Sequence, residues 1–319
     1  MSKRNIAKIS VFVISILCAA VLLAVCGYVW PSGRPTSDAD RARSPYSVPE
    51  TVGRIESAEI KESSGLAASK CQPGVLWTHN DSGDDAFIYA IDVKGKNLGT
   101  WRVTGAKNRD WEDVAEYKDA SGQCYLYIGE TGNNDLDEQR AVVYRVKEPA
   151  VTDAARGSTR KNPLQTEPSE SVRVVYPGTR ENAETLMIHP KTGDIYIVSK
   201  RFDGPATVYK VPPEFDAEGD VTASKIAEIS VPSVPNGLLT GGDIAPDGMR
   251  VVLCDYAAGY ELTLPAGDTN FDDIWKQQPV RFDLGERKVG ESVAYSPDGS
   301  EIFAGSEGKY SPIFELRRK

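Results

Sequence analysis

The sequence predicts an all-β fold, a β-propeller of five four-stranded blades, on three observations. A polar phrase running into an apolar strand start recurs five times: ESSGLA (62–67), DWEDVA (110–115), NAETLM (182–187), TGGDIA (240–245) and VGESVA (289–294). Each is followed by a polar turn and further β-rich runs, and a phrase recurring every several tens of residues marks a repeat architecture. The last repeat lacks an outer strand, and a segment ahead of the first phrase can supply it.

Taken in chain order, the first element is an apolar run from Ile9 to Trp30, free of charge and preceded by Lys3, Arg4 and Lys8. Its length suits a bilayer-spanning helix. The basic flank would leave the N-terminus in the cytoplasm and the remainder outside. A cleaved signal peptide is the competing reading, secreting the rest of the chain. Lipidation at Cys26 is a third, although Val25, not a small residue, stands directly before that cysteine. Residues 31–50 read as a disordered polar tether rich in Pro, Ser and charge. Residues 51–319 are the propeller.

The repeats align on the apolar pairs Leu66-Ala67, Val114-Ala115, Leu186-Met187, Ile244-Ala245 and Val293-Ala294. The turns that follow (SKCQPG, KDASGQ, HPKTGD, APDGMR, SPDGSE) carry the Gly and Asp residues that hairpins need. Second strands follow at VLWTHN, YLYIGE, IYIVSK, VVLCDY and IFAGSE, and third strands at FIYAIDV, AVVYRV, ATVYKV, GYELTL and PIFELR. Fourth strands read as LGTWRV, SVRVVY, KIAEISV and PVRFDL. Period-two alternation and abundant Val, Ile and Tyr support these assignments. The fifth blade ends at its third strand, and TVGRIESAEI (51–60) closes the ring and hides the open edges. The stretch 148–180 could conceal a sixth blade but reads as an insertion loop; 268–278 reads as a second insertion with a short helix.

Charge and cysteines limit the function classes. The net charge is −9, and setting aside Lys3, Arg4 and Lys8 takes the rest of the chain to −12. A nucleic-acid partner, which wants a basic face, is therefore not expected. Cys71 and Cys124 fall at matching turns of the first two repeats and could form a disulfide in an oxidising compartment; two free thiols are the alternative. With two histidines in the chain and no HExxH or paired CxxC, zinc chemistry is disfavoured. There is no GxSxG elbow and no nucleotide-binding glycine pattern.

In a propeller, the inner-strand starts and the loops between second and third strands share one face, so both sets should surround one mouth of the axial channel. The first set offers Asp110, Glu112, Asp113, Glu184, Asp243 and Glu291. Of these, Glu112, Asp113, Glu184, Asp243 and Glu291 are the candidate metal ligands. Glu112, Glu184 and Glu291 lead, because all three lie two residues before the apolar mark. The second set offers His79, Asn80, Asp81, Glu130, Asn133, Asn134, Lys200, Arg201, Asp255 and Glu307; all of these but His79 and Asp255 are the candidate ligand contacts, and His79 is the candidate base. Confined carboxylates repel one another unless a cation compensates them. That cation is either Ca²⁺, which takes six to eight oxygen ligands, or the side chains of Lys200 and Arg201 in a structural ion-pair network. His189 reads as a surface residue of the far face, in an HPKTGD turn.

NDSG (80–83), DWEDVA (110–115) and ETGNN (130–134) together resemble a widespread group of secreted bacterial propellers that share no agreed activity. More distantly the chain is similar to calcium-dependent propellers, the β-propeller phytases and the gluconolactonase and paraoxonase lactonases. That resemblance implies calcium held by Glu112, Glu184, Asp243 and Glu291, polarising an ester or phosphoryl oxygen. Beyond Lys200 and Arg201, no catalytic base or phosphate-binding set can be matched. The expectation is a membrane-anchored extracytoplasmic propeller binding a small or extended ligand at a calcium-bearing mouth, with a calcium-dependent hydrolase of an ester, lactone or phosphoester as the alternative.

Overall fold

The computed structural model describes residues 43–215 and 218–319. The apolar run 9–30 and most of the tether lie outside the described residues.

Five sheets, each with four antiparallel strands at its centre, form the blades. Blade 1 holds β2 (Ser63–Ala68), β3 (Val75–Asn80), β4 (Phe87–Asp92) and β5 (Asn97–Thr104). Blade 2 holds β6 (Trp111–Lys118), β7 (Cys124–Glu130), β8 (Ala141–Lys147) and β10 (Glu170–Val175). Blade 3 is β11 (Ala183–Ile188), β12 (Ile195–Ser199), β13 (Ala206–Val211) and β15 (Ser224–Ile229). Blade 4 is β16 (Gly241–Ile244), β17 (Arg250–Cys254), β18 (Ala258–Thr263) and β19 (Val280–Asp283). Blade 5 is β20 (Ser292–Tyr295), β21 (Glu301–Gly305) and β22 (Pro312–Arg317), and β1 (Glu50–Arg54) supplies its outer strand, antiparallel to β22. The inner strands touch in the cyclic order β2, β6, β11, β16, β20 and back to β2.

The cores explain the ring. Every apolar cluster is shared by two neighbouring blades: Trp77, Ile88 and Trp101 pack on Val114 and Ile128, for example, and Tyr196 and Val198 on Leu253 and Tyr260. The fifth cluster joins Leu76 and Tyr89 of blade 1 to Phe303 and Ile313 of blade 5. Strands such as β2, β3 and β12 are buried along their whole length because both faces of a blade are covered. The hydrophobic effect thus acts between blades, and it is satisfied all round only when the ring closes.

The insertions are more ordered than loops. Within 148–180, β9 (Leu164–Pro168) adds a fifth strand parallel to β5, so this stretch extends blade 1 and completes blade 2 rather than forming a sixth blade. β14 (Asp220–Thr222) similarly adds to β10. The second insertion forms a 3₁₀ turn, Phe271–Lys276, that packs Phe271, Ile274 and Trp275 into the core between blades 3 and 4. It also covers His189, whose ring lies 4.5 Å from that of Phe271, so the expected surface histidine is buried.

The chain is already fixed ahead of β1. Tyr46 is buried and donates its hydroxyl to Glu261, whose carboxylate also accepts from Arg318 Nη1 (2.9 Å) and Tyr295 OH (3.1 Å). The end of the expected tether thus meets the C-terminus and blade 4 at one buried acid.

Cys71 and Cys124 are disulfide-bonded, joining the β2–β3 turn of blade 1 to the start of β7 in blade 2 across 53 residues of sequence. Closing a loop of that length restricts the unfolded chain by about 4 kcal/mol in the chain-entropy treatment. The variant Cys71→Ser, Cys124→Ser should therefore unfold at lower denaturant with an unchanged fold, by at most that amount. An unchanged denaturation midpoint would show that the bridge is not formed.

Candidate functional site

Two of the inner strands that carry mouth acids, β6 and β11, are bent at those acids. Trp111 pairs with Glu130 and Asp113 with Gly129, so Glu112 is the extra residue of a β-bulge. Ala183 pairs with Ser199 and Thr185 with Val198, which leaves Glu184 as the extra residue of a second. A bulge leaves its residue outside the ladder and re-aims the side chain. Glu291 stands just ahead of β20. In blade 4 the ladder is regular and the equivalent position is Gly242, which brings no side chain.

These acids meet the ends of the second strands. Lys200, following β12, donates to Glu184 Oε1 at 2.5 Å, and its ammonium lies 5.1 Å from the centre of the Tyr256 ring. Asp81, Asp110 and Glu112 each present a carboxylate oxygen, all within 4.8 Å of one another. Asp81 Oδ1 is sequestered and meets no hydrogen-bond donor among the described residues. A Cβ at position 132 would overlap Asp110 Oδ2 and Glu112 Oε1, so glycine there leaves room for the carboxylates. Glu291 and Glu307 form a second carboxyl pair, near enough to Glu184 and Lys200 to feel both.

One lysine does not compensate six acids. Burial first, then the charges of Glu184, Asp81 and Asp110, hold the Glu112 carboxyl well above the usual range. Asp81 is pushed up to about 8 by burial and by Asp110 and Glu307. Glu291 is pushed up to about 10 by burial and by Glu307. Asp110 and Glu184 are raised as well, burial being the largest cause for each. Burial works against the charge of Lys200, but Glu184 and Tyr256 outweigh it and hold the ammonium above the ordinary lysine range. The mouth therefore either retains protons or attracts a cation.

Two expected ligands are turned elsewhere. Asp113 accepts the backbone N–H of Val114 (2.8 Å) and, across the blade boundary, that of Leu186 (3.0 Å). Asp243 accepts from Ile244 N (2.8 Å) and from Tyr295 N of the next blade (2.9 Å). Both are fully occupied staples between inner strands, one residue past the mouth register. Burial pushes the Asp243 carboxyl up to about 6.

The candidate ligand contacts divide in the same way. Asn80 accepts from Lys61 N and Glu62 N and donates to Glu59 O and Asp84, so it ties down the chain entering blade 1. Glu130 accepts the N–H groups of Arg109 and Asp110 and the Arg109 guanidinium, fixing the approach to Glu112. Asn133 is spent on Glu138, Glu181 and Asn182. Asn134 reaches the acids through Asn182, which donates to it (3.1 Å) and to Glu184 (3.4 Å). Arg201 pairs with Asp203 (3.1 Å) and, at 3.6 Å, with Glu181 on the rim. His79 is fully buried, edge-on to Trp111, and burial lowers its imidazole to about 4. It packs between blades as a neutral ring and is not placed to serve as a base.

Tyr256 and Asn182 escaped the sequence reading. Tyr256 follows β17 as Lys200 follows β12 and Glu307 follows β21, so the repeat register was a usable signal for it. Asn182 has no comparable signal, since its role depends on facing Asn134 across two blades.

Comparison of the sequence with protein-family models and with curated proteins finds no match. Among solved structures the chain is similar to an X-ray structure provisionally described as a gluconolactonase, at 8% identity and a TM-score of 0.41, covering 84% of this chain and 91% of that one. The strand order and the closure of the ring define the propeller.

The layers of the channel predict opposite mutational effects. Asp113→Ala strands two buried N–H groups and should destabilise the domain by about 2–5 kcal/mol. Glu112→Gln removes a buried, like-charged carboxyl and should leave the metal-free protein equally or more stable. Denaturant titration of both variants in chelator checks this, and a stabilised Asp113→Ala protein would contradict the staple assignment.

The pH dependence follows from Glu291. Its carboxyl keeps its proton to about pH 10 when folded, against an ordinary value of 4.5. The folded state alone holds that proton between those limits, so chelated protein should lose stability as pH rises through the window. Thermal melts of wild type and Glu307→Gln from pH 5 to 9 should show a shallower decline in the variant. Equal slopes would remove the pair from the account.

Proposed function

We propose that this chain is an extracytoplasmic propeller that binds a ligand through a divalent cation, Ca²⁺ in preference, at the acidic mouth of its axial channel. The observation that carries the reading is the Asp81–Asp110–Glu112 triad, with its mutually close oxygens and the orphaned Asp81 Oδ1. Calcium–oxygen bonds of about 2.3–2.6 Å allow ligand oxygens to lie up to roughly 5 Å apart, which suits this spacing better than the tighter shell of Mg²⁺. An all-carboxylate set is also hard-cation chemistry, unlike that of zinc. Asp81, Asp110 and Glu112 would hold the ion, with Glu184 kept at its side by Lys200. The bound ion would supply a Lewis-acidic position for a ligand oxygen. The apolar run 9–30 would anchor the domain to a membrane on the extracytoplasmic side, and the Cys71–Cys124 bridge supports an oxidising compartment.

A second reading, hydrolysis of an ester, lactone or phosphoester, is favoured by the Glu291–Glu307 pair. A carboxyl held far above the ordinary carboxylate range beside a second carboxyl group can deliver or accept a proton. That role falls to this pair because His79 is buried away from the mouth.

Elemental analysis of the purified ectodomain, followed by calcium titration calorimetry, tests the first reading. One ion per chain is expected, with affinity lowered at least about tenfold in Asp110→Asn and Glu112→Gln, equivalent to about 1.4 kcal/mol or more. A metal-free protein whose melting is unaffected by Ca²⁺ or chelator would reject it. A screen against p-nitrophenyl esters, lactones and phosphate esters with and without EGTA addresses the second. Chelator-sensitive turnover that falls in Glu307→Gln supports hydrolysis, and absence of turnover leaves the binding reading alone.

A further inference from the structure

We infer that the mouth face of the propeller docks a polypeptide, which lays apolar side chains on the rim and sends a lysine or arginine side chain into the acidic centre. Seven large apolar residues are exposed among the described residues. Leu164 and Val280 lie on the outer strands β9 and β19, and Val48 lies ahead of β1. The other four stand on the mouth face. Leu136 (46% exposed), Phe202 (66%) and Tyr310 (53%) occupy the loops joining second to third strands in blades 2, 3 and 5, and Val234 (98%) occupies the connection from blade 3 to blade 4.

Two of the four are held in strained backbone. Leu136 (φ 51°) and Tyr310 (φ 59°) are the two non-glycine residues in the left-handed region among the described residues. That region favours glycine, and after it asparagine and aspartate. In each case an arginine from another segment clamps the carbonyl: Arg180 Nη1 donates to Leu136 O at 2.9 Å, and Arg54 Nη1 to Tyr310 O at 3.3 Å. The backbone is fixed while about half of each residue stays in solvent. Strain kept without apolar burial in return points to a role outside folding. The remaining pair is tied down as well, because Arg201 N donates to Gly237 O at 2.8 Å and joins the loop of Phe202 to that of Val234. A preformed rim lowers the ordering cost of binding.

Charge selects the occupant. The loops joining second to third strands (81–86, 131–140, 200–205, 255–257 and 306–311) hold nine acids and four bases. The connections entering the inner strands (55–62, 105–110, 176–182, 230–240 and 284–291) add seven acids and six bases, and Glu112 and Glu184 are two acids more. That excess repels an anionic lipid surface, and a second copy would set acids against acids. It attracts a basic side chain. Glu307, on the same loop as Tyr310, puts an acid beside the apolar rim. Apolar residues on four separate connections suit a chain crossing the face rather than a small molecule. The inference does not rest on the cation reading, because the rim residues and Glu307 lie outside the Asp81–Asp110–Glu112 triad.

The probe is a phage-displayed library of random short peptides, panned in EGTA against the purified protein and against a rim variant that combines Leu136→Asn, Phe202→Ser, Val234→Ser and Tyr310→Asn. The rim variant should unfold at an equal or higher denaturant concentration, since asparagine takes the left-handed conformation more readily than leucine or tyrosine. Peptides enriched on wild type should carry a lysine or arginine between apolar residues. By fluorescence anisotropy, a synthetic representative should bind at least about tenfold more weakly to the rim variant and to Glu307→Gln, and replacing its base by glutamine should weaken its binding to wild type as much. No enrichment, enriched peptides without a base, or affinity indifferent to the rim variant overturns the inference. A lower unfolding midpoint in the rim variant overturns it by assigning these side chains to folding. Rim-dependent dimerisation in sedimentation velocity, or rim-dependent binding to phosphatidylcholine vesicles, overturns it by placing a second copy or a lipid surface on the face. No arm contains Ca²⁺, so failure here leaves the calcium titration unaffected.

Discussion

Each blade has two apolar faces and no core of its own, and the rest of the structure follows from that constraint. A single four-stranded sheet cannot bury both faces, so every blade needs two neighbours, and five blades in sequence leave two raw ends. Pairing β1 with β22 joins those ends, and the cluster around Leu76, Tyr89, Phe303 and Ile313 becomes a fifth interface like the others. Closure also fixes where the inner strands begin. Their polar starts, separated by several tens of residues in the chain, have nowhere to go but the axis.

Gathering acids at an axis is unfavourable, and the channel shows two responses. At the deeper register Asp113 and Asp243 are neutralised by use: each accepts an N–H within its own strand and another from the next blade. At the mouth the carboxyls outnumber their partners. Lys200 satisfies Glu184, whereas Glu112, Asp81 and Glu291 are left with burial and mutual repulsion. Removing a staple costs backbone hydrogen bonds, while removing a mouth acid relieves strain. Residues whose loss would stabilise the empty fold are those for which a role outside folding is the economical explanation.

Around this centre the loops act as scaffolding. Glu130, Asn80 and Asn133 look like ligand-contacting residues in the sequence, since amides and acids in a Gly-containing loop have that composition. In the structure their donors and acceptors are consumed by backbone within a few ångströms. Glu130 sets the position of Asp110, and the two asparagines hold the loops on either side.

Much of this was legible in the residues themselves. The fivefold phrase, the turn chemistry and the missing outer strand determined a closed five-bladed propeller. The register two before the apolar mark singled out Glu112, Glu184 and Glu291, because equivalent positions of a repeat must share an environment. The sequence ranked Glu112 ahead of Asp113 by register but kept both as candidate ligands, and it could not show that Asp113 staples two blades. Adjacent residues of a strand point oppositely, and only the bulge at Glu112 and the approach of Leu186 decide which one faces the channel. Nor could it place His79 between blades, or show that Asp81 would meet Asp110. Those outcomes depend on how two sheets pack, and the position of one blade against the next is set by cores built from residues far apart in the chain.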